Sequence, residues 1–216
     1  MLIPPPPLIF VPLLFPNSQL PLTMNILVLK NSVKGETGSS NILIGQVLSQ
    51  IAGSHTVVTR DLASMSLPSI NGDFVRAMWT PEKGDAEKAV LAQAFGFIED
   101  LKSADMVVIG SPVYNFNVAA SLKTFFDMTV MNGVTFHYVD GKPKGLLAEG
   151  KKAVICYTSG GTALGGDLDY NSGWVKHMLG FVGIADVTIV DGGLGQYPGK
   201  EERMAKAEEV IKGIVF

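Results

Sequence analysis

Short apolar runs alternate along this chain with longer stretches whose apolar residues recur every three or four positions. Residues 25–29 (NILVL), 105–110 (DMVVIG), 153–158 (AVICYT) and 186–190 (DVTIV) are such runs, and the neighbourhood of Val57 and Val58, closing on Arg60 and Asp61, is a fifth. Continuous rather than alternating hydrophobicity is what a strand buried on both faces requires. Between the runs the helical spacing predicts helices over about 41–52, from Asp85 as a cap through Val90, Leu91, Phe95, Ile98 and Leu101, and over 119–131 with Leu122, Phe125 and Phe126 on one face. Two more follow, around 174–181 and over the charged stretch 199–213. Residues 62–84 are rich in Ser, Pro and Gly and predict a long loop with one helical turn near 74–78. The segment VTFHYVDGKPKGLL carries a turn between two short strand-like pieces and predicts a hairpin insertion. Five strands separated by helices predict an α/β three-layer sandwich, a five-stranded parallel sheet with helices on both faces and right-handed crossovers. In such sheets ligands sit beyond the carboxyl ends of the strands, where the strand order reverses. The loops after the first, third and fourth strands, which also have unusual composition, are therefore the candidates for the chemistry.

Residues 1–23 stand apart. They are apolar but broken by prolines, lack a basic leader region, and contain no run of about 20 apolar residues that could span a bilayer. The expectation is an N-terminal extension or a translation start placed too early, with Met24 the first residue of the domain that fills 24–216. With 47% apolar and 17% charged residues the composition is that of a globular protein. A net charge of −3 leaves no basic footprint for nucleic acid and no polybasic run for a membrane surface. The single cysteine, Cys156, excludes an internal disulfide and fits a reducing, cytoplasmic compartment. The three histidines have no partners at metal-ligand spacing, so no metal is expected.

The first loop offers Ser32, Gly38, Ser39 and Ser40 between a strand and a helix. Free amides and the helix macrodipole stabilise a phosphate at such a position, and hydroxyls add donors. The loop lacks both the Gly-Lys-Ser/Thr ending of a nucleotide triphosphate cradle and the G-x-G-x-x-G of a dinucleotide turn. The same serines would also serve simply to cap the helix. The second loop, Pro112-Val113-Tyr114-Asn115-Phe116-Asn117, sets two aromatics and two amides at the end of a buried strand, where they can lie along the rim of a planar ring. Asn115 and Asn117 would be costly to bury without partners, which weighs against a pure core role. The third loop, Thr158-Ser159-Gly160-Gly161-Thr162, lets the backbone approach a ligand closely, although alone it is also what a flexible turn requires.

Taken in order, PVYNFN followed by SLKTFFD, then VTFHY, KKAV with TSGG, and LGFVGI make the chain resemble the FMN-dependent NADH-azoreductase family, also described as NADH:quinone oxidoreductases. The resemblance implies a homodimer of flavodoxin-like subunits with FMN as cofactor and NADH as co-substrate. It implies ping-pong transfer of two electrons from NADH through FMN to quinones or azo compounds. Carried over by position, phosphate contacts fall on Ser32, Gly38, Ser39 and Ser40. Ring contacts fall on Val113, Tyr114, Asn115, Phe116, Thr158, Ser159, Gly160 and Gly161. The chemistry belongs to the cofactor, so no catalytic side chain is expected. Three departures matter: Val113 stands where methionine is common, Gly38 where serine is common, and Thr162-Ala163 where a histidine often follows the glycine pair. Trp79, Phe136, Tyr138 and Phe181 are the candidates for an apolar wall against the acceptor. No basic cluster marks a 2′-phosphate site, which favours NADH over NADPH. Two alternatives share the fold, a flavodoxin-type electron carrier and another NAD(P)H-dependent FMN reductase subfamily. A phospho-acceptor receiver domain is excluded, because Lys30-Asn31 and Ser111-Pro112 stand where its acidic residues belong.

Overall fold

The structure is a computed structural model that describes residues 23–215. The expected extension over residues 1–23 therefore lies, but for Thr23, outside the described residues. In chain order the elements are β1 (Met24–Lys30), a single 3-10 turn (Gly35–Thr37), α1 (Ser39–Gln50), β2 (His55–Asp61), α2 (Gly72–Trp79), α3 (Asp85–Ser103) and β3 (Met106–Pro112). There follow α4 (Ala120–Thr129), β4 (Phe136–Val139), β5 (Lys142–Gly145), β6 (Lys152–Thr158), α5 (Ser172–Val182), β7 (Asp186–Asp191) and α6 (Lys200–Lys212).

Five strands form one parallel sheet in the order β2-β1-β3-β6-β7, as expected from the apolar runs. The inner strands are covered on both faces. Leu27, Leu29, Val107, Ile109 and Ile155 point to a core shared with α2 to α5. Ile26, Val28, Val108, Val154 and Cys156 point the other way, to α1 and α6. Because successive side chains leave a strand on opposite faces, only continuous hydrophobicity serves both cores. The edge strand β2 carries His, Thr and Arg instead, and most of it is exposed. The sequence of crossovers reverses between β1 and β3, which places the switch point at the carboxyl ends of those two strands.

Two elements differ from the sequence reading. The long loop contains a two-turn helix, α2, because Asn71 Oδ1 accepts the Phe74 amide at 3.0 Å and Phe74 and Ala77 are buried. Asp85 is not a cap: Gly84 holds that position, and Asp85 is the first helical residue, favourable there through the macrodipole. The buried face of α3 runs through Leu91, Ala94, Phe97, Ile98 and Leu101, leaving Val90 exposed. The hairpin is present as β4 and β5, joined at Asp140 and Gly141, both with positive φ. At the opposite edge of the sheet from the switch point, buried Lys151 donates to the carbonyls of Lys102, at 2.7 Å, and Ala104, closing the end of α3. Burial pulls the Lys151 ammonium below its ordinary pKa, partly offset by Asp105. Among the described residues no helix is long and apolar enough to cross a membrane.

Candidate active site

The loops after β1, β3 and β6 meet at the carboxyl edge of the sheet. The last residue of β3 pairs with the last of β6, and the Val113 amide extends that ladder to Thr158 O at 2.7 Å. The second and third loops thus leave the sheet side by side. The first and second are joined by Tyr114, whose hydroxyl accepts the Val33 amide at 3.1 Å. A cavity of about 570 Å³ opens there, lined among others by Asn31, Val33, Ala63, Tyr114, Asn115 and Trp174.

Around the start of α1 two buried side-chain atoms, Ser40 Oγ and Asn41 Oδ1, are left without a partner. Ser40 is fully buried, yet its hydroxyl has no hydrogen-bond partner. The amides of Ser39 and Ser40 lie in the first helical turn, where no intrahelical acceptor exists. A buried hydroxyl without a partner costs about 1–3 kcal/mol. The donors present fit a phosphate monoester: hydroxyls, first-turn amides and a dipole pointing the right way. Ser32 is buried as well, its Oγ accepting only a long bond of 3.3 Å from the Lys34 amide.

In the second loop Tyr114 and Asn117 exchange backbone bonds of 2.9 and 3.1 Å, closing a two-residue turn. Both central residues are left-handed, Asn115 at φ 49° and Phe116 at φ 68°. Asparagine tolerates that conformation; phenylalanine does so only at a cost of order 1–3 kcal/mol, the kind of strain that gathers at functional sites. The turn holds the Phe116 ring 51% exposed. Asn115 and Asn117 are exposed rather than buried and so bear no burial cost; Asn117 Oδ1 accepts the Val118 amide at 2.8 Å.

The third loop is fastened from beneath. Ser159 donates its hydroxyl to Thr162 O and accepts the Leu194 amide at 3.1 Å, while Tyr157 donates to Thr162 O at 3.1 Å. Burial pushes the Tyr157 phenol up to about 12, with the charges of Asp169 and Asp191 adding to it, so it stays a neutral donor. The Cys156 thiol, also buried, is pushed up and is inert as a nucleophile.

A family profile described as the flavodoxin-like fold matches residues 24–214. The FMN-dependent NADH:quinone oxidoreductase of Erythrobacter litoralis is 37% identical over 195 residues, 88% of this chain and 98% of that one. That of Cereibacter sphaeroides is 39% identical over 194 residues, 88% and 97% respectively. The chain belongs to this flavodoxin-like family of quinone oxidoreductases. Among solved structures, an azoreductase from Bacillus anthracis superposes with a TM-score of 0.78 at 25% identity, over 89% of this chain and all 100% of that one. An FMN-dependent NADH-azoreductase of the same species, in complex with FMN, shares the fold at a TM-score of 0.77 and 24% identity, over 88% and 96%.

Within the family's pattern, the glycine at 38 has a structural counterpart. A Cβ on Gly38 would lie 2.1 Å from Ser32 Oγ, so the Ser32 hydroxyl occupies the space that a residue-38 side chain would fill. Two buried asparagines, unnoticed in the sequence, hold the loops. Asn31 donates to Gly110 O at 2.9 Å and accepts from Ser121 at 3.2 Å, tying β1 to β3 and α4. Asn171 accepts from Ser111 Oγ at 2.7 Å and donates to Pro112 O and Asn117 O at 3.3 and 3.4 Å, tying α5 to the second loop. The only signal in the sequence is an amide directly after a strand or before a helix, which surface turns share. The four aromatics proposed for the acceptor wall are not brought to the three loops. Phe136 packs on Phe181 and Tyr138 at ring separations of 4.7 and 5.6 Å beside the last turn of α5, and Trp79 shares with Phe136 a separate cavity of about 340 Å³.

Asp169 anchors the start of α5. Burial works against its charge, but bonds from the Ser172 hydroxyl and the amides of Gly165, Ser172 and Asn171 outweigh it and hold the carboxyl below its ordinary pKa. The stabilisation is therefore complete above about pH 4, the ordinary aspartate value, and is lost as pH falls through the lower folded value. Asp169→Asn is expected to cost about 1 kcal/mol at pH 7, a typical cap loss. Urea unfolding at pH 7 and pH 3 checks this; a penalty of equal size at both would show that the charge is not what matters.

Proposed function

We propose that this protein is a cytoplasmic FMN-dependent NADH:quinone oxidoreductase and azoreductase, a homodimer binding one FMN per subunit. The observation that carries the reading is the junction of the three loops at the carboxyl ends of β1, β3 and β6, where the Val113 amide joins Thr158 O and the Tyr114 hydroxyl takes the Val33 amide. The names borne by relatives 37–39% identical to it support the same reading. Ser32, Gly38, Ser39 and Ser40, through their hydroxyls and the first-turn amides of α1, would hold the phosphate. Val113, Tyr114, Asn115 and Phe116 from the second loop, and Thr158, Ser159, Gly160 and Gly161 from the third, would hold the ring. When bound, FMN supplies the capacity to take up and pass on an electron pair as hydride. The protein's part is position: Tyr114 locks two loops together, Asn31 and Asn171 fix their roots, and the strained turn presents the Phe116 ring to a flat acceptor. The homodimer rests on the likeness to the family, and a sedimentation mass of one chain would remove it. The cytoplasmic placement rests on the lone, buried cysteine.

The test is to purify the protein, record its visible spectrum, and titrate it with NADH without oxygen. The expected result is a yellow protein that bleaches in one two-electron step and recovers with benzoquinone. A colourless protein that takes up no added FMN would sink the reading. Bleaching in two separate one-electron steps would point instead to an electron carrier.

A further inference from the structure

The loop between β7 and α6 is built as tightly as the three loops beside it. Arg203, on the first turn of α6, donates to four carbonyls of that loop: Gly193 at 3.3 Å, Leu194 at 2.6 Å, Tyr197 at 3.0 Å and Pro198 at 2.8 Å. Among the described residues it forms no ion pair, the neighbouring Glu202 pairing with Lys206. A planar guanidinium that spends its donors on backbone dictates the shape of that backbone, which an ammonium cannot do. The shape it imposes is an uncommon one, since Leu194 has φ 54°, and such residues persist only where the surroundings over-determine them.

The loop so held is stapled to the glycine pair. The amides of Gly195 and Gln196 donate to Ser159 O at 2.9 Å and Gly160 O at 3.1 Å. A Cβ on Gly160 would come within 3.2 Å of the Gln196 side chain, and one on Gly161 within 3.2 Å of the Tyr197 ring. Tyr197 nevertheless remains 56% exposed, with the Cε2 and hydroxyl end of its ring beside Gly161. A large aromatic held there serves no core.

We propose that residues 193–198 form a fourth wall of the active site, with Arg203 as the positioning residue that sets it and Tyr197 as the ring against which a flat aromatic acceptor stacks. The inference rests on the reading of the site as an FMN reductase and goes beyond it by naming what selects the acceptor. Offset stacking on a phenol ring suits quinones and azo compounds, which present planar faces.

Two variants and their conservative counterparts test it. Tyr197→Ala is expected to raise the KM for benzoquinone about tenfold with little change in kcat, in the FMN dissociation constant or in the rate of bleaching by NADH; Tyr197→Phe keeps the wild-type KM. Arg203→Ala is expected to speed hydrogen exchange at the Gly195 and Gln196 amides, measured on protein stripped of flavin. It should also weaken FMN several-fold and raise the same KM, with Arg203→Lys recovering only part of each. An unchanged KM in Tyr197→Ala overturns the acceptor wall. Arg203→Ala that lowers thermal stability while leaving exchange at those amides and the KM unaltered overturns the positioning role. Wild-type protein that takes up no FMN overturns the reductase reading itself, and the hydrogen-exchange arm still reports separately on the loop.

Discussion

Gly38→Ala is expected to weaken FMN binding on the order of a hundredfold, equivalent to about 3 kcal/mol. The added Cβ would sit 2.1 Å from Ser32 Oγ and 2.7 Å from Ser32 Cβ, distances no pair of real atoms keeps. Ser32 must then rotate away or the loop must move. Rotation would remove the charge-assisted bond proposed between Ser32 and the phosphate, worth roughly 1.5–3 kcal/mol. Displacement of the loop also disturbs the start of α1, where Gly38 O accepts the amides of Asn41 and Ile42 at 2.9 and 3.0 Å. The glycine has ordinary dihedrals, φ −66° and ψ 131°, so backbone strain plays no part and the effect is steric. A double-mutant cycle separates the two routes. Ser32→Gly combined with Gly38→Ala removes the clash without restoring the hydroxyl, so its affinity should match Ser32→Gly alone. Quenching of FMN fluorescence on titration reads the affinities. A Gly38→Ala protein that binds FMN as tightly as wild type would show that the Ser32 hydroxyl does not face the phosphate.

The contrast between Ser32 and Asn31 shows what a sequence reveals of such a site. The parallel sheet was legible because burial on both faces leaves no choice but continuous apolar runs, and four of the five runs are read within two residues at either end. Ser32, Ser39, Ser40 and the glycine pair stand out in composition, but composition alone leaves a helix cap or a flexible turn equally open, and it is their place after β1 and β6 that makes them candidates. Asn31 and Asn171 were not, since the bonds that define them reach Gly110, Ser111 and Ser121, 79, 60 and 90 residues away. Nothing local distinguishes an amide that knits three loops from one facing water. Arg203 was hidden for a related reason: in a helix reading KEERMAKAEEVIK a charged residue looks like one more member of a solvated face. The strained turn at Asn115 and Phe116 fell between the two cases. Its residues stood out as chemistry, but the left-handed conformation that exposes them contradicts local preference, and phenylalanine in a sequence argues for burial. α2 was underestimated because Ser, Pro and Gly on its flank argue for loop, while the cap at Asn71 and the burial of Phe74 decide for helix.

Gly145→Ala is expected to cost about 3 kcal/mol, at the upper end of what overpacking a tight contact does. A Cβ there would fall 2.2 Å from the Gly183 nitrogen and 2.3 Å from the Val182 carbonyl carbon. Both are main-chain atoms at the end of α5, so no side chain can swing aside. Gly183 itself has φ 112° as the left-handed cap of that helix, and its own pro-Cβ direction meets Leu147 O at 3.2 Å. The hairpin must lift from the helix as a unit, straining the Leu147 amide bond to Val182 O at 3.1 Å and the Phe136–Phe181 contact. For a domain of this size the loss corresponds to a fall in Tm of roughly 6–12 °C. The end of α5 lies about 16 Å along the helix from its start, where Asn171 holds the second loop. FMN affinity is therefore expected to survive the change. The benzoquinone KM of the same variant then separates the two apolar walls. A rise assigns Phe136, Tyr138 and Phe181 a share in receiving the acceptor, whereas no change leaves them as the packing that seats the hairpin. An undiminished Tm would mean that hairpin and helix part more readily than two backbones in contact should.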